Sequence, residues 1–518
     1  MKQITNKFKI MKNFKGNLGL ASIIGLGLLS LSTVSCSNDD NDDSGSQSQA
    51  PNVNFTALAS NNTILTYNAQ NLMTATSTTA IVGLPAAENI VSIDYRPATG
   101  QLYALGSSSR IYFINEKSGV ATAVGSGVFS PAIVGANASL DFNPTVDRIR
   151  LVTESGQNLR LHPELGTVVA TDGSINGGTN PKIGAVAYTN SVAGATTTML
   201  YDIDFAQDKL YLQNPPNDGG LQVVGDLGIN FEGTGDMDIT ADNSTALAVT
   251  NSSNISTLYT INLTTGKAVN VGKFGAQVIS IAFKTNPIAY ATTAANMLVR
   301  FDPTKGTNTS VALTGLAASE TIVGLDFRPA NGGLYAISNQ SRLFVVNTSS
   351  GALTVVGTTA LIPGLDGTSF GFDFNPTVDR IRLVSNTGQN LRLHPDLGTV
   401  VFIDGTLKPG TPFINGAAYT NNFVGATTTT LFVLDSQTDM LYRQEPPNDG
   451  VLVAVGNLGV NLDADSGFDI GGNSTIAYAL LKVNNANAIY TINLTTGAAT
   501  KVADINVQAT AMAVGLGF

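Results

Sequence analysis

The stretch DFNPTVDRIRLVTESGQNLRLHPELGTVV, residues 141–169, decides how this chain is organised. It returns as DFNPTVDRIRLVSNTGQNLRLHPDLGTVV at residues 373–401, which is 373 − 141 = 232 positions later, and only four of its 29 positions differ. A copy this long does not arise by compositional accident in a chain rich in Gly, Thr and Asn. It therefore indicates that a whole structural unit has been duplicated.

Matching landmarks on both sides of this stretch define two halves, residues 52–283 and 284–518. The tetrapeptide PPND at 215–218 matches 446–449, and INL at 261–263 matches 492–494. The offset between the halves falls from 232 to 231 only once, near Gly177. Insertions are thus confined to a loop, as expected between packed elements.

The composition favours an all-β chain. Its 518 residues are 43% hydrophobic and 12% charged, which is ample apolar material for two cores. The 53 glycines, with abundant Thr and Val, suit short strands separated by turns. No long segment shows a sustained helical period.

A weaker repeat of roughly 40–50 residues recurs inside each half, a period typical of solenoids and propellers. Residues 92–125 are one example. In it the apolar residues alternate as in strands, and Ser118-Gly119 supplies a hairpin turn, as Thr265-Gly266 does in a later repeat. Each repeat therefore predicts one four-stranded antiparallel blade.

Each half contains five such repeats and ends in one leftover strand, at residues 278–283 and 509–518. A leftover strand can complete the three-stranded first blade of its own half, which closes the ring and removes its edges. We therefore predict two tandem five-bladed β-propellers. One ten-bladed ring is the alternative, because the same strands could pass from half to half.

Two motifs resemble a known family. Residues 326–336 (DFRPANGGLYA) and 374–400 (FNPTVDRIRLV…GQNLRLHPDLGTV) are similar to the signature of the DUF4394 family of bacterial secreted proteins, once in each half. The resemblance implies a β-propeller in an exported or surface protein. It brings no established activity, so no catalytic residue is carried over.

The first 35 residues predict a lipoprotein signal peptide, with lysines, an apolar run at 18–31, and small residues before Cys36. Residues 33–36 resemble a lipobox, so Cys36 is the expected lipidation site. Residues 36–51 are an acidic, polar tether resembling the surface-export signal of Bacteroidota lipoproteins. We expect an exported outer-membrane lipoprotein, held to the membrane by its lipid and exposed on the cell surface.

Charge and motifs exclude several function classes. After removal of the signal, 27 − 5 = 22 basic and 37 acidic residues leave a net charge of −15, which argues against a nucleic-acid partner. No cysteine remains for disulfides or thiolate metal sites. No nucleophile elbow, P-loop or zinc-protease motif is present. We predict no cofactor and no metal, since the spacing of Asp202, Asp204 and Asp208 is not repeated in the second half.

The duplicated stretch concentrates positive charge on one strand face. If residues 154–156 form a hairpin turn, Arg150 lies opposite Arg160, and period-two geometry places Arg148 opposite His162. Such a face requires anions. These are predicted to be carboxylates of the next blade (Asp94, Asp141 or Asp147) or, alternatively, an acidic ligand such as a uronate or phosphate. The candidate ligand-binding residues are Arg148, Arg150, Arg160, His162, Arg380, Arg382, Arg392 and His394.

The leading functional prediction is a non-catalytic surface lipoprotein whose propellers bind a glycan, peptide or protein. It rests on the predicted location, the rigid repeat scaffold and the lack of a catalytic motif. Two alternatives stay open. One is a glycan hydrolase or lyase acting in a propeller funnel, and the other is a structural component of the envelope or matrix.

Overall fold

The computed structural model describes residues 50–472 and 476–518, with the side chains of residues 464–466 excepted. The predicted signal peptide, the predicted lipidation site Cys36 and nearly all of the predicted tether lie outside the described residues. The described chain is almost entirely β. None of its helices is long and apolar enough to span a membrane.

The first half forms five four-stranded antiparallel sheets, arranged as the blades of a propeller. Its strands are β1 (Asn54–Ala59), β2 (Thr63–Asn68), β3 (Ser77–Ala80), β4 (Ile90–Tyr95), β5 (Leu102–Gly106), β6 (Arg110–Ile114), β7 (Ala121–Ala123), β8 (Ala138–Asn143), β9 (Arg148–Thr153), β10 (Asn158–Leu161), β11 (Val168–Thr171), β12 (Ile183–Tyr188), β13 (Leu200–Asp204), β14 (Lys209–Gln213), β15 (Leu221–Asp226), β16 (Thr234–Ile239), β17 (Ala246–Ser252), β18 (Ile255–Ile261), β19 (Ala268–Lys273) and β20 (Val278–Ala282). One 3-10 turn, Pro216–Asp218, precedes β15.

The second half repeats this arrangement. Its strands are β21 (Ala289–Thr293), β22 (Met297–Phe301), β23 (Asn308–Ala312), β24 (Ile322–Phe327), β25 (Leu334–Ser338), β26 (Leu343–Val346), β27 (Leu353–Val356), β28 (Phe370–Asn375), β29 (Arg380–Ser385), β30 (Asn390–His394), β31 (Thr399–Ile403), β32 (Ile414–Tyr419), β33 (Leu431–Asp435), β34 (Met440–Gln444), β35 (Leu452–Asn457), β36 (Leu462–Ile470), β37 (Ala477–Val483), β38 (Ala486–Ile492), β39 (Ala499–Asp504) and β40 (Ala509–Val514). The equivalent 3-10 turn is Pro447–Asp449.

The pairing of the leftover strands distinguishes two five-bladed rings from one ten-bladed ring. Strand β20 pairs with β1 of its own half, from Thr56 opposite Ala282 to Ala59 opposite Val278. Strand β40 pairs with β21 in the same way. Each half therefore closes on itself, so the prediction of two five-bladed propellers is confirmed and the ten-bladed alternative is wrong.

Packing between blades, not hydrogen bonding between sheets, closes each ring. The innermost strands β4, β8, β12, β16 and β20 contact one another in a cycle, as do β24, β28, β32, β36 and β40. Ten hydrophobic clusters fill the described spaces between neighbouring blades, five in each propeller. Inner strands such as β12 are buried along their whole length, whereas outer strands such as β3 are largely exposed.

The predicted Thr-Gly and Ser-Gly turns sit where blades approach closely. Gly119 and Gly266 adopt φ of 74° and 78°, a left-handed region that glycine enters without strain. A Cβ at Gly119 would lie 1.9 Å from the carbonyl oxygen of Ala80 in the preceding blade. These positions therefore require glycine both for the turn and for the blade contact.

The two propellers contact each other through buried polar bonds. Arg96 donates to the carbonyl oxygen of Gly332 at 3.0 Å, and Thr348 donates to Asp147 at 3.1 Å. Tyr290 donates to the carbonyl oxygen of Ala98 at 2.9 Å. Arg96 itself is fully buried and also binds Asp147 and Glu164. Residues of the first propeller's second and third blades thus form one side of the junction.

Candidate functional site

The arginines of the duplicated stretch form a network between the third and fourth blades of each propeller. Strand pairing places Arg150 opposite Arg160 and Arg382 opposite Arg392, as predicted. Arg150 is 1% exposed and donates to Asp172 at 2.7 Å and Asn158 at 2.7 Å. The predicted partners Asp94, Asp141 and Asp147 are wrong for this arginine, because Asp172 at the end of β11 supplies the carboxylate.

Asp172 serves both arginines at once. Arg160 reaches its two oxygens in a bidentate pair at 2.7 and 2.9 Å, while Arg150 shares one of them. Burial acts to raise the pKa of Asp172, but the bonds from Arg160 and Arg150 outweigh it and lower that pKa. The repulsion expected between the facing arginines is therefore offset by one shared anion.

The PPND turns belong to the same network. Asn217 in the 3-10 turn accepts from Arg150 at 2.7 Å, and Tyr188 accepts from it at 3.2 Å. In the second propeller Arg382 binds Asp404, Asn390, Asn448 and Tyr419 in the same way. Two motifs separated by more than 60 residues therefore form one inter-blade contact, in which Arg150 and Arg382 each donate four hydrogen bonds to protein groups.

The remaining candidates of this face are only half-buried. Arg160 and Arg392 have side chains 33% and 24% exposed, and Arg392 stacks over the ring of Phe402 at 4.0 Å. Arg148 and Arg380 donate to the carbonyl oxygens of Asp147 and Asp379. The ligand-binding role of the eight residues stays a prediction.

Each histidine side chain accepts a hydrogen bond from the turn that follows it. Nδ1 of His162 accepts from the backbone N–H of Glu164 at 3.3 Å, and Nδ1 of His394 accepts from that of Asp396 at 3.2 Å. Burial lowers the pKa of His162 to about 4, with Arg148 and Arg96 adding to the fall. His162 is therefore neutral at pH 7.

The titration of His162 gives a pH prediction. An unfolded chain takes up a proton on this side chain below about pH 6.5, whereas the folded chain resists until about pH 4. The stability that neutral His162 contributes is therefore full above pH 6.5 and is lost as the pH falls to 4. We expect the free energy of unfolding of His162→Gln to fall less between pH 7 and pH 4.5 than that of the native chain. Urea titration at each pH measures both values. His394→Gln is the matched control, and identical pH profiles for the native chain and His162→Gln would contradict the prediction.

A second set of charged residues lines the axis of each propeller, where sequence reasoning had nominated no site. Asp94, Asp141 and Asp238 lie on the innermost strands of the second, third and fifth blades, and each is buried. The equivalent residues of the second propeller are Asp326, Asp373 and Asp469. Within each set, one carboxylate oxygen of every residue lies within 4.8 Å of the others.

These aspartates satisfy backbone groups that the sheets leave unpaired. An innermost strand has an open edge toward the axis, so its N–H groups require acceptors. Asp94 accepts the N–H of Phe142 on the next blade at 2.9 Å, and Asp238 accepts that of Phe283 at 2.5 Å. Asp326 accepts that of Phe374 at 2.7 Å. The carboxylates therefore link neighbouring blades around the axis.

Burial also makes these carboxylates hard to ionise. It raises the pKa of Asp238 and of Asp469 to about 7. Burial, with repulsion from neighbouring carboxylates, holds the pKa of Asp94 and of Asp373 well above the usual value. The axis of each propeller thus concentrates carboxyl groups that no Lys or Arg pairs with in the described ion pairs.

The propellers differ at the axial positions two residues before each of these aspartates. In the first, Asp236 accepts hydroxyl groups from three other blades, Ser92 at 3.1 Å, Ser139 at 2.7 Å and Ser280 at 2.5 Å. In the second, the equivalent positions are Gly467, Gly324, Gly371 and Ala511. A Cβ at Gly467 would lie 2.3 Å from Cβ of Met512, so the strands approach too closely there for a side chain.

A crevice with about 30 Å³ of enclosed space lies where the propellers meet. The first propeller contributes residues of its second blade, and the second contributes the loop after β32 and the C-terminal segment. Its lining comprises Gln101, Leu102, Phe113, Ile114, Asn115, Val120, Thr122, Asn422, Phe423, Val424 and Leu516. None of these side chains is charged.

Two amide side chains of this crevice are incompletely paired. Asn422 is 0% exposed, yet neither its Oδ1 nor its Nδ2 has a hydrogen-bond partner among the described residues. Oε1 of Gln101 is likewise buried and unpaired. Buried amides normally form hydrogen bonds. Sequence reasoning missed both residues, although their equivalents in the other half, Ser191 and Gly333, mark them as positions where the halves differ.

Asp202, Asp204 and Asp208 are close in sequence but contact different groups. Asp204 accepts the backbone N–H groups of Lys182 and Ala206, and Asp208 accepts that of Phe231. Asp202 points between the third and fourth blades, where burial raises its pKa well above the usual value. These residues therefore do not form a common site.

Comparison with known proteins agrees with the duplication. The domain of unknown function DUF4394 matches residues 63–282 and 297–515, and a repeat of unknown function, DUF6923, matches residues 200–371. No curated protein matches the chain. Because the two DUF4394 matches cover most of the sequence and coincide with the two propellers, the chain belongs to the DUF4394 family.

Proposed function

We propose that this chain is a non-catalytic, surface-anchored protein that binds the end of a neutral glycan in the crevice between its propellers. The observation that carries the proposal is Asn422, whose buried amide has an unused donor and an unused acceptor at the crevice. A sugar hydroxyl group both donates and accepts a hydrogen bond, so it complements an amide.

The construction of the crevice supports a small polar ligand. Ligand sites have mainly apolar walls with a few polar groups, and they occur preferentially at domain interfaces. Here Phe113, Phe423 and Leu516 supply apolar surface, and Gln101 with Asn422 supply polar atoms. The enclosed space of about 30 Å³ accommodates one or two water-sized groups, so it admits a hydroxyl-bearing end of a ligand and not a whole sugar ring.

Charge favours a neutral ligand over an acidic one. The crevice has no charged lining residue, and the chain after the predicted signal has 22 − 37 = −15 net charges. The arginines that suggested a uronate or phosphate are occupied instead, since Arg150 and Arg382 bind protein groups. A hydroxyl-rich ligand without carboxylates therefore fits this protein best.

Catalysis in a funnel is less well supported. Axial carboxylates such as Asp94 and Asp326 are buried and accept backbone N–H groups, which leaves them poorly placed to reach a substrate. The crevice itself contains no carboxylate. The predicted signal peptide and lipidation of Cys36 complete the proposal, because they would present the propellers to glycans outside the cell.

The test combines binding with stability. The mature chain carrying Cys36→Ser is applied to an array of neutral and acidic glycans, beside Asn422→Leu. We expect binding to neutral glycans that Asn422→Leu abolishes. The same variant should gain about 1–3 kcal/mol in free energy of unfolding, because it removes a buried, unpaired amide.

The matched control is Ser191→Leu, at the equivalent position of the other propeller. It is expected to bind like the native chain. Absence of binding to every neutral glycan, or equal binding by Asn422→Leu, would overturn the proposal.

A further inference from the structure

The axial aspartates of each propeller have the composition of a cation site. The three residues of a triad come from three different blades and direct oxygens to one place on the axis. They are Asp94, Asp141 and Asp238 in the first triad, and Asp326, Asp373 and Asp469 in the second. All are buried, so water alone does not offset their charges.

The second triad contains an oxygen that no N–H or hydroxyl group of the described residues reaches. Asp326 and Asp469 each accept two backbone N–H groups, one per oxygen. Asp373 accepts the N–H of Tyr419 on Oδ1 at 3.0 Å. Its Oδ2 accepts no N–H or hydroxyl group from the described residues, although Asp373 is only 1% exposed, and its carboxyl group lies against that of Asp469. Two buried carboxyl groups in contact require either a proton or a cation between them.

The chemistry of the triad oxygens indicates which ion would bind. All three are carboxylate oxygens, which hard cations prefer. Magnesium usually keeps several waters in its coordination shell, whereas calcium accepts a shell of protein oxygens, so a buried triad favours calcium. The three oxygens of each triad lie within 4.8 Å of one another, so one calcium ion with bonds of about 2.4 Å can contact all of them.

We propose that each triad binds one calcium ion on the axis of its propeller, where the ion joins three of the five blades. A divalent ion offsets most of the charge of three carboxylates while their backbone hydrogen bonds stay in place. The competing arrangement is a proton shared between Asp373 and Asp469, whose carboxyl groups are adjacent.

The two sites are expected to differ in affinity. Asp236 adds a fourth carboxylate near the first triad, whereas the equivalent position of the second propeller is Gly467. Additional negative charge strengthens cation binding. The first propeller should therefore contain the tighter site.

The experiment measures calcium directly. The mature chain with Cys36→Ser is stripped of metal and dialysed against calcium chloride, and bound calcium is counted per chain. We expect two equivalents for the native sequence, one for Asp373→Asn, and none for Asp141→Asn combined with Asp373→Asn. Asparagine keeps an acceptor for the N–H of Tyr419 but removes the charged ligand.

Asp172→Asn is the matched control, because it replaces a largely buried carboxylate that is paired with arginines away from both triads and should leave two equivalents. A folded native chain that takes up no calcium would overturn the proposal and favour the shared proton. Two equivalents in Asp373→Asn would overturn the assignment of the second site. If the variants fail to fold, the stoichiometry of the native chain still decides the proposal.

Discussion

Deletion of residues 509–518 is expected to unfold the second propeller while the first keeps its fold. The deletion removes β40, which is the innermost strand of its blade and pairs with β21 from Ala289 opposite Val514 to Thr293 opposite Ala509. It also removes contacts with β24 and β36 on either side. The ring would then have an open first blade and an exposed edge.

The size of this effect follows from what β40 buries. Met512 and Val514 belong to the cluster on one side of the blade, and Ala513 and Leu516 to the cluster on the other. Exposing several such side chains costs about 1.5–3 kcal/mol each, so the sum approaches the ~5–15 kcal/mol by which a whole domain is stable. Asp469 would also lose the N–H of Val514.

Calorimetry and limited proteolysis check this expectation. The native chain should protect both halves, whereas the deletion should leave residues 284–508 sensitive to protease and residues 52–283 resistant. Phe518→Ala is the control, because it removes a ring that packs against Gly100 and keeps β40. Equal protection of both halves after the deletion would contradict closure by β40.

Arg382→Met is expected to destabilise the second propeller by about 3–5 kcal/mol, the usual cost of removing one partner of a buried ion pair. Arg382 is 2% exposed and joins Asp404 on its own blade to Asn448 on the next. Without it, Asn390 and Asn448 lose their charged donor in a buried setting.

Arg392→Met is the matched control, because Arg392 binds the same carboxylate of Asp404 but is 24% exposed. Its loss should cost only about 0–1 kcal/mol. Urea unfolding followed by tyrosine fluorescence measures both variants, since the chain has no tryptophan. Equal effects of the two substitutions would show that Arg382 does not join the blades and would restore the ligand-binding interpretation of this face.

Local patterns predicted the blades because a blade is a local structure. Its four strands are consecutive in sequence, so the hairpin register is set by nearby turns, and Arg150 opposite Arg160 followed from the turn at residues 154–156. The closing strands were predictable as well, since each half ends in one strand after its last repeat and begins with a repeat of only three strands.

Partners from different blades were not predictable in the same way. Asp172 and Asn217 meet Arg150 only because the fourth blade packs against the third. The axial aspartates had a sequence signal, an Asp near the end of the first strand in the second, third and fifth blades of each half. That signal becomes meaningful only once five strands converge on one axis.

The sequence by itself determined the duplication, the all-β class and the five blades per half, because these follow from repeats, alternation and turns along a continuous chain. Only the tertiary structure decided which carboxylate meets which arginine, which oxygens converge on each axis, and where Asn422 and Gln101 are buried. These features depend on contacts between blades or between propellers. Their distances are set by three-dimensional packing, which no local sequence pattern contains.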